Sequence, residues 1–404
     1  MGGEFRTGIA LICAVWLLCG CTFSDALRND PVYAIRTSGA DSHTLTIPFV
    51  TDRKNDGLGL GGFGNHWSSR IQCGTFTVTV PASSSPGDRA VSASEPSIAA
   101  CDAGAPLGGF VAAVKRAGQA SHCDNVLLYV HGYNNTFRSA VLRTAQLAVD
   151  AEWPCAAAAF SWSSEGKFDR YAADIERSGY AAPALMEVLK ALSDGGIKTN
   201  IIAHSMGARL TLTALAALRI VCTEQAPVVN ELILAAPDVN AEKYNDDFGT
   251  LLTHVSPCVH RATIYASSND MVLMLSESLH GGIPRAGLEP DRDIRYALSG
   301  GRVDIVDASN APGDPLGHGY FVSSKEMLDD IMRVLHGADV VSRATLSAPG
   351  EPTLQCANPD KACSGGDDRY VLSVAPGRRP DLIAQLERAI LRGVLAIKTQ
   401  SPGF

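Results

Sequence analysis

The sequence predicts an α/β fold with a mostly parallel sheet and helices on both of its faces. Three observations carry this. Short apolar runs alternate with segments of helical periodicity. The runs end abruptly in polar or glycine-containing loops, as buried strands do. One run, Thr199-Asn200-Ile201-Ile202-Ala203-His204-Ser205-Met206-Gly207-Ala208-Arg209-Leu210, passes from strand to helix through a serine with small residues on either side.

Taken in order, Val126-Leu127-Leu128-Tyr129-Val130 reads as a buried strand that breaks at His131-Gly132-Tyr133-Asn134-Asn135. Phe137, Val141, Ala145 and Ala148 then recur at helical spacing until Trp153-Pro154, because proline cannot continue a helix. Ala156 to Trp162 is the next strand, and Leu185, Val188, Leu189 and Leu192 mark one face of a helix ending at Gly195 and Gly196. The serine strand follows, then a helix carrying Leu210, Leu215 and Leu218. Further strands are expected at Glu231 to Ala236, Arg261 to Ala266 and Gly301 to Val306.

The serine turn has the layout of a nucleophile elbow. Bulky residues two positions either side would clash where helix meets strand. Those positions hold Ala203 and Gly207; the usual pattern has glycine at both, so the alanine costs one methyl of clearance. Such a match is common by chance, so its neighbours carry the inference. In the α/β-hydrolase fold the acid follows the second strand after the serine and the histidine follows the third. Asp270 and His318 occupy those places, giving the chain order Ser205, Asp270, His318. Asp238, one strand too early, is the alternative acid. His43, His66 and His122 precede the core, His131 and His204 sit in motifs with other tasks, and His254, His260, His280 and His336 carry no signal.

The chemistry needs these residue types. A serine hydroxyl is a weak nucleophile until a base takes its proton, and imidazole suits that task near neutrality. Asp270 would fix the imidazole tautomer and stabilise the imidazolium. Backbone N–H groups of Met206 and Tyr133 would form the oxyanion hole. The loop from Ser276 to Asp293 is expected to form one wall of the acyl pocket.

Asn125 to Gly207, together with Ala235-Ala236-Pro237-Asp238, Tyr265-Ala266-Ser267-Ser268-Asn269-Asp270 and Gly317-His318, resembles a bacterial α/β-hydrolase family long catalogued only as a domain of unknown function. The resemblance runs from about Ile47 to Gly337 and takes in Thr51-Asp52-Arg53-Lys54 and the strand Gly74 to Pro81. It implies the α/β-hydrolase fold and a triad of Ser205, Asp270 and His318, with Tyr133 and Met206 as oxyanion donors. It implies little about substrate.

Arg6, then the apolar run Ile9 to Leu18, reads as a signal peptide, too short for a permanent membrane span. Leu18-Cys19-Gly20-Cys21 resembles a bacterial lipobox, so Cys21 is expected to carry the lipid and to anchor the protein in the cell envelope. The expected layout is a signal at 1–20, a linker at 21–46, the hydrolase domain at 47–344 with a loop-rich insert at 82–109, and an extension at 345–404. That extension contains a strand near Tyr370 to Val374 and an amphipathic helix with Leu382, Leu386, Ile390 and Ile397, read as packed on the core.

Of eleven cysteines, Cys13 and Cys19 would leave with the signal and Cys21 would be modified, leaving Cys73, Cys101, Cys123, Cys155, Cys222, Cys258, Cys356 and Cys363. An even number in an exported protein permits disulfides without fixing any pairing. Cys356 with Cys363 is the favoured pair. No cysteine spacing suggests zinc, and no metal or cofactor is expected. A net charge of −8 with no basic stripe excludes nucleic acid as the expected partner. The expected ligand is a small-molecule or lipid ester, and the sequence names no protein partner. The competing reading is a non-catalytic envelope interaction protein on a hydrolase scaffold, and an amide or thioester could replace the ester.

Overall fold

The computed structural model describes residues 42–57, 62–81, 92–94, 96–99, 101–102, 104, 106–241, 256–288, 303–311, 316–344, 354–356 and 370–372. The expected signal, Cys21, Cys363 and the amphipathic helix around Leu382 to Ile397 lie outside those residues.

A long antiparallel pair, β1 (Ser42–Asn55) and β2 (Phe63–Pro81), opens the fold. Short β3 (Ser92–Ala93) and β4 (Ser97–Ala99) both pair with β2. The expected surface loop at 82–109 thus contains two strands, because the outer edge of β2 offers unpaired N–H and C=O groups to any adjacent extended segment. Helix α1 (Gly108–Gly118) follows. The alternating core is β5 (Asn125–Val130), α2 (Phe137–Asp150), β6 (Ala156–Ser161), α3 (Tyr171–Asp194), β7 (Lys198–His204), α4 (Met206–Leu218), β8 (Val229–Ala235), β9 (Val259–Ala266), α5 (Met271–Leu279) and β10 (Val303–Asp307). Helices α6 (Tyr320–Ser323), α7 (Lys325–Leu335) and α8 (Val340–Ala344) and strands β11 (Leu354–Cys356) and β12 (Tyr370–Leu372) complete it.

The described strands form one sheet in the order β11-β12-β10-β9-β8-β7-β5-β6-β1-β2-β3. Every pair from β12 through β1 is parallel, while β1–β2 and β11–β12 are antiparallel. The mostly parallel sheet is therefore as the sequence predicts. Strands β11 and β12 continue it beyond residue 344, so the expected boundary there cuts through a single sheet.

The apolar runs are continuous because both faces of these strands are covered. Side chains alternate between faces. Leu128, Val130, Ile201, Ala203, Leu232 and Leu234 join Phe110, Leu185, Leu189, Leu210 and Leu215 from α1, α3 and α4 in one core. Leu127, Tyr129, Ile202 and Ile233 join Phe137, Val141, Leu328 and Ile331 from α2 and α7 in the other. Each fully buried valine, leucine, isoleucine or phenylalanine among them contributes about 1.5–3 kcal/mol.

Local signals set the helix ends. Thr136 and Ser139 form a reciprocal capping box at the start of α2. That helix ends at Asp150, and Glu152 takes a left-handed φ of 48° before Trp153-Pro154. Helix α3 is longer than the leucines alone suggest: Asp174, Ser178, Ala181 and Ala182 extend its buried face, with Pro183 inside it. Disulfides join Cys73 to Cys101, Cys123 to Cys155 and Cys222 to Cys258. The first ties β2 to the segment before α1, the second ties the starts of β5 and β6, and the third ties the segment after α4 to the start of β9. On the chain-entropy account, loops of these lengths stabilise the fold by about 3–4 kcal/mol each.

Candidate active site

Strand β5 lies between β6 and β7, so the connections leaving it diverge at the carboxyl edge of the sheet, the place where open α/β sheets bind ligands. Ser205 stands at that edge, between β7 and α4, with φ 53° and ψ −122°. A non-glycine residue in such a conformation stores about 1–3 kcal/mol and persists only where its surroundings enforce it. Here Ser205 N donates to Ala235 O at 3.0 Å, while Ser205 O accepts from Asp238 N at 3.2 Å and from Ala208 N at 3.0 Å. A Cβ at Gly207 would collide with the carbonyl oxygens of Val130 and His131, so glycine there lets α4 pack against the end of β5. Ala203 is fully buried, and its methyl is absorbed in the core shared with α3 and α4.

The loop after β5 crosses directly over the serine. A Cβ added to Gly132 would lie 2.9 Å from Ser205 Cβ. The Asn135 side chain donates to Gly132 O at 3.3 Å and Tyr133 O at 2.9 Å, folding the loop onto itself. Asn134, with a left-handed φ of 57°, donates its N–H to Asp174 at 3.2 Å, and Asn135 N donates to Ser164 Oγ at 3.1 Å. Met206 N begins α4, so it lies at the positive end of that helix.

Asp270 and His318 meet. His318 Nδ1 is 2.7 Å from Asp270 Oδ2, and both side chains are buried. The other carboxylate oxygen caps α5, accepting from Leu273 N at 2.9 Å, so the acid is fixed by two bonds in different directions. Gly317 makes the approach possible: its φ is 66°, and a Cβ there would lie 2.6 Å from Asn269 O. The imidazole is also placed relative to the elbow. His204, the residue before the serine, has Nε2 3.2 Å from His318 O and its ring 4.6 Å from the His318 ring. His204 stacks on Phe321, and burial together with neighbouring His318 holds it well below its ordinary pKa, so it stays neutral.

Asp238, the alternative acid, is committed elsewhere. It accepts from Tyr171 Oη at 2.5 Å and Ser276 Oγ at 2.6 Å, with Arg285 Nη1 3.7 Å away. It joins the start of α3 to α5, and His318 takes Asp270. The expected pocket-wall loop is described from Ser276 to Leu288. It returns to the segment after β8 through Ala286 N to Val239 O and Gly287 N to Pro237 O, both 2.9 Å. Tyr171 makes T-shaped contacts with Tyr133 and His280, with ring centroids 5.2 and 5.9 Å apart.

His131 is a structural histidine. It stacks on Trp162 at 5.1 Å and donates from Nδ1 to Gly132 O at 2.8 Å. Burial, aided by Arg53, pushes its pKa down to about 3, so it is neutral at physiological pH. Among the described residues, no group of three or more His, Cys, Asp or Glu side chains is arranged to hold a metal ion.

Sequence reasoning assigned no role to Asp52, Arg53, Asn135, Tyr171 or Asp174. The sequence signal for Asp52 and Arg53 is a charged run, Asp52-Arg53-Lys54, at the end of an apolar strand, a pattern that solvated loop starts share. Burial pushes the Asp52 carboxyl up from 3.8 to about 7, against the opposing pull of the Arg53 charge. Unfolded, the carboxyl titrates near its ordinary value, so folding takes up a proton between about pH 4 and 7 and stability falls as pH rises through that window. Asp52→Asn removes the loss. The Tm gained by the variant should be near zero at pH 4 and grow to on the order of 5 °C by pH 8. Thermal melts across that range check it, and a gain independent of pH would refute the assignment.

Residues 111–336 match the family described as an alpha/beta hydrolase of unknown function (DUF900). No curated protein matches the sequence. Among solved structures, a lipase-esterase related protein from Clostridium acetobutylicum ATCC 824 is similar at 16% identity over 52% of this chain and 82% of its own, with a TM-score of 0.19. A likeness that weak carries no argument about activity. The family match spans more than half of the chain and includes Ser205, Asp270 and His318: the protein belongs to the DUF900 family of α/β hydrolases.

Proposed function

We propose that this protein is a cell-envelope serine hydrolase that cleaves carboxylic esters through an acyl-enzyme on Ser205. One observation carries the reading: the buried Asp270–His318 hydrogen bond is formed between residues 48 positions apart, and His318 packs on His204, the residue before a serine held at positive φ. His318 takes the Ser205 proton as the hydroxyl attacks the ester carbonyl. The carbonyl oxygen gains negative charge, and the amides of Met206 and Tyr133 stabilise it, each contributing about 3–4 kcal/mol. Collapse of the tetrahedral adduct expels the alcohol, which receives the proton from His318. Water, activated by the same imidazole, then releases the acid and restores Ser205. Asp270 keeps Nδ1 protonated throughout, so that Nε2 is the basic nitrogen. Tyr133, Tyr171 and His280 give the surroundings of the loop after β5 an aromatic character suited to an apolar acyl or alcohol group.

Export and lipid attachment at Cys21 belong to the same proposal. Three disulfides support it, since such bonds persist in oxidising compartments. The experiment is to express the full chain with labelled palmitate and treat it with a fluorophosphonate. Label on Ser205, lost in Ser205→Ala, with turnover of p-nitrophenyl esters, is the expected result. Palmitate should be incorporated and lost in Cys21→Ser. No labelling and no ester turnover would refute the hydrolase, and a stable partner retained by Ser205→Ala would favour an interaction protein instead.

A further inference from the structure

Arg53 is buried, with a relative exposure of 1%, at the end of β1. Burial lowers its pKa only to about 10, so it is charged at neutral pH. A buried cation is ordinarily matched by a carboxylate in contact, because removing it from water is costly. Among the described residues, no carboxylate makes an ion pair with Arg53. Its donors go to oxygens on other segments: Nη2 to Asn135 O at 2.9 Å, Nη1 to Ser164 O at 3.0 Å and to Gly64 O at 2.8 Å, and Nε to Ser161 Oγ at 3.1 Å. The charged neighbours that act on it are Asp52, Asp174, Glu165 and Arg177.

One of these bonds lands on the loop that crosses Ser205, and another on Ser164, which itself bonds that loop. Asn135, whose carbonyl Arg53 holds, folds Gly132 and Tyr133 onto its own side chain. Ser164, whose carbonyl Arg53 also holds, accepts from Asn135 N and donates to Asp174, which in turn accepts from Asn134 N. Ties to residues 134 and 135 from outside the loop thus run to Arg53 directly and to Ser164 and Asp174 beside it, alongside the bond from Ser139 Oγ to Asn135 Oδ1. Guanidinium geometry matters, because three nitrogens in one plane reach three segments at once, which an ammonium cannot do.

We infer that Arg53 is a positioning residue of the active site: it clamps the 132–135 loop so that the Tyr133 amide keeps its place over Ser205. The inference rests on the proposed hydrolase reading for its catalytic consequence, but the clamp itself can be read without turnover. It also makes β1, which precedes the matched span 111–336, part of the catalytic unit.

The test compares the full chain with Arg53→Lys, Arg53→Met and Asn135→Ala. Hydrogen exchange followed by mass spectrometry reads the amides of the peptide covering 131–136, and their exchange should speed up by about tenfold or more in both Arg53 variants. With a p-nitrophenyl ester, kcat should fall about 10- to 100-fold in Arg53→Lys while KM changes by less than about threefold, since a donor displaced by a fraction of an ångström fails only the transition state. Affinity for a trifluoromethyl ketone, whose adduct with Ser205 carries the oxyanion, should fall by the same factor as kcat/KM. A merely structural role would lower Tm without moving that ratio. Should Arg53→Met not fold, Arg53→Lys and Asn135→Ala carry the test. Unchanged exchange at 131–136, or a folded Arg53→Lys with wild-type kcat, overturns the inference. Faster exchange in a protein whose wild type neither turns over esters nor takes up fluorophosphonate would sink the hydrolase reading alone and leave the clamp standing.

Discussion

Ser205→Ala and His318→Ala should each lower kcat by about 10⁵- to 10⁶-fold, and the double substitution should lower it no further. On the proposed mechanism the two residues act as one unit: without the imidazole the hydroxyl stays protonated, and without the hydroxyl the imidazole has no proton to take. What survives either change is the activity of a site that still binds the ester and offers Met206 and Tyr133 amides to the oxyanion. Steady-state kinetics of the three variants on a p-nitrophenyl ester, each shown by thermal melting to be folded, reads this directly. If the losses multiply, the two side chains belong to independent steps, and the acyl-enzyme on Ser205 is the wrong intermediate.

Asp270→Asn should lower kcat by about 10³- to 10⁴-fold with little change in Tm. Asparagine keeps an oxygen for the Leu273 N–H at the start of α5, so the cap survives. Its amide, however, offers a donor where His318 Nδ1 needs an acceptor, so the ring turns to the wrong tautomer. Asp238→Asn should do the reverse. Its carboxylate takes hydrogens from Tyr171 and Ser276 on separate oxygens and faces the buried Arg285. Losing that charge should cost about 2–3 kcal/mol of stability and less than about tenfold in kcat. Paired kinetics and melts on the two variants separate the cases. A catalytic collapse in Asp238→Asn with a mild effect in Asp270→Asn would reassign the acid.

The part of this molecule legible in the sequence is the part set by neighbours in the chain. Each strand from Asn125 to Ala266 contains an apolar run, because parallel strands covered on both faces bury nearly all of their side chains. The elbow is equally local: Gly207 is required by the carbonyls of Val130 and His131, and the residue type alone reports the tightness. Strand order then places Asp270 and His318 at the carboxyl edge, where the structure finds them 2.7 Å apart. The loop at 82–109 misleads, since its short strands exist only because β2 presents an edge to them.

What tertiary structure alone decides are the choices among chemically equivalent residues distant in sequence. Asp238 and Asp270 both follow apolar strands, and only the packing of α3 and α5 gives one to Tyr171 and Ser276 and the other to His318. The three described cysteine pairs span separations of 28 to 36 residues, a matching that no spacing rule encodes. Arg53 is the plainest case: a charged residue at a strand end reads as solvated, and it becomes a buried clamp only because β1 lies beside β6, bringing Ser161, Ser164 and Asn135 within its reach. Local pattern follows from which side chains avoid water. Partnership follows from which segments the sheet brings together, and that is a property of the whole chain.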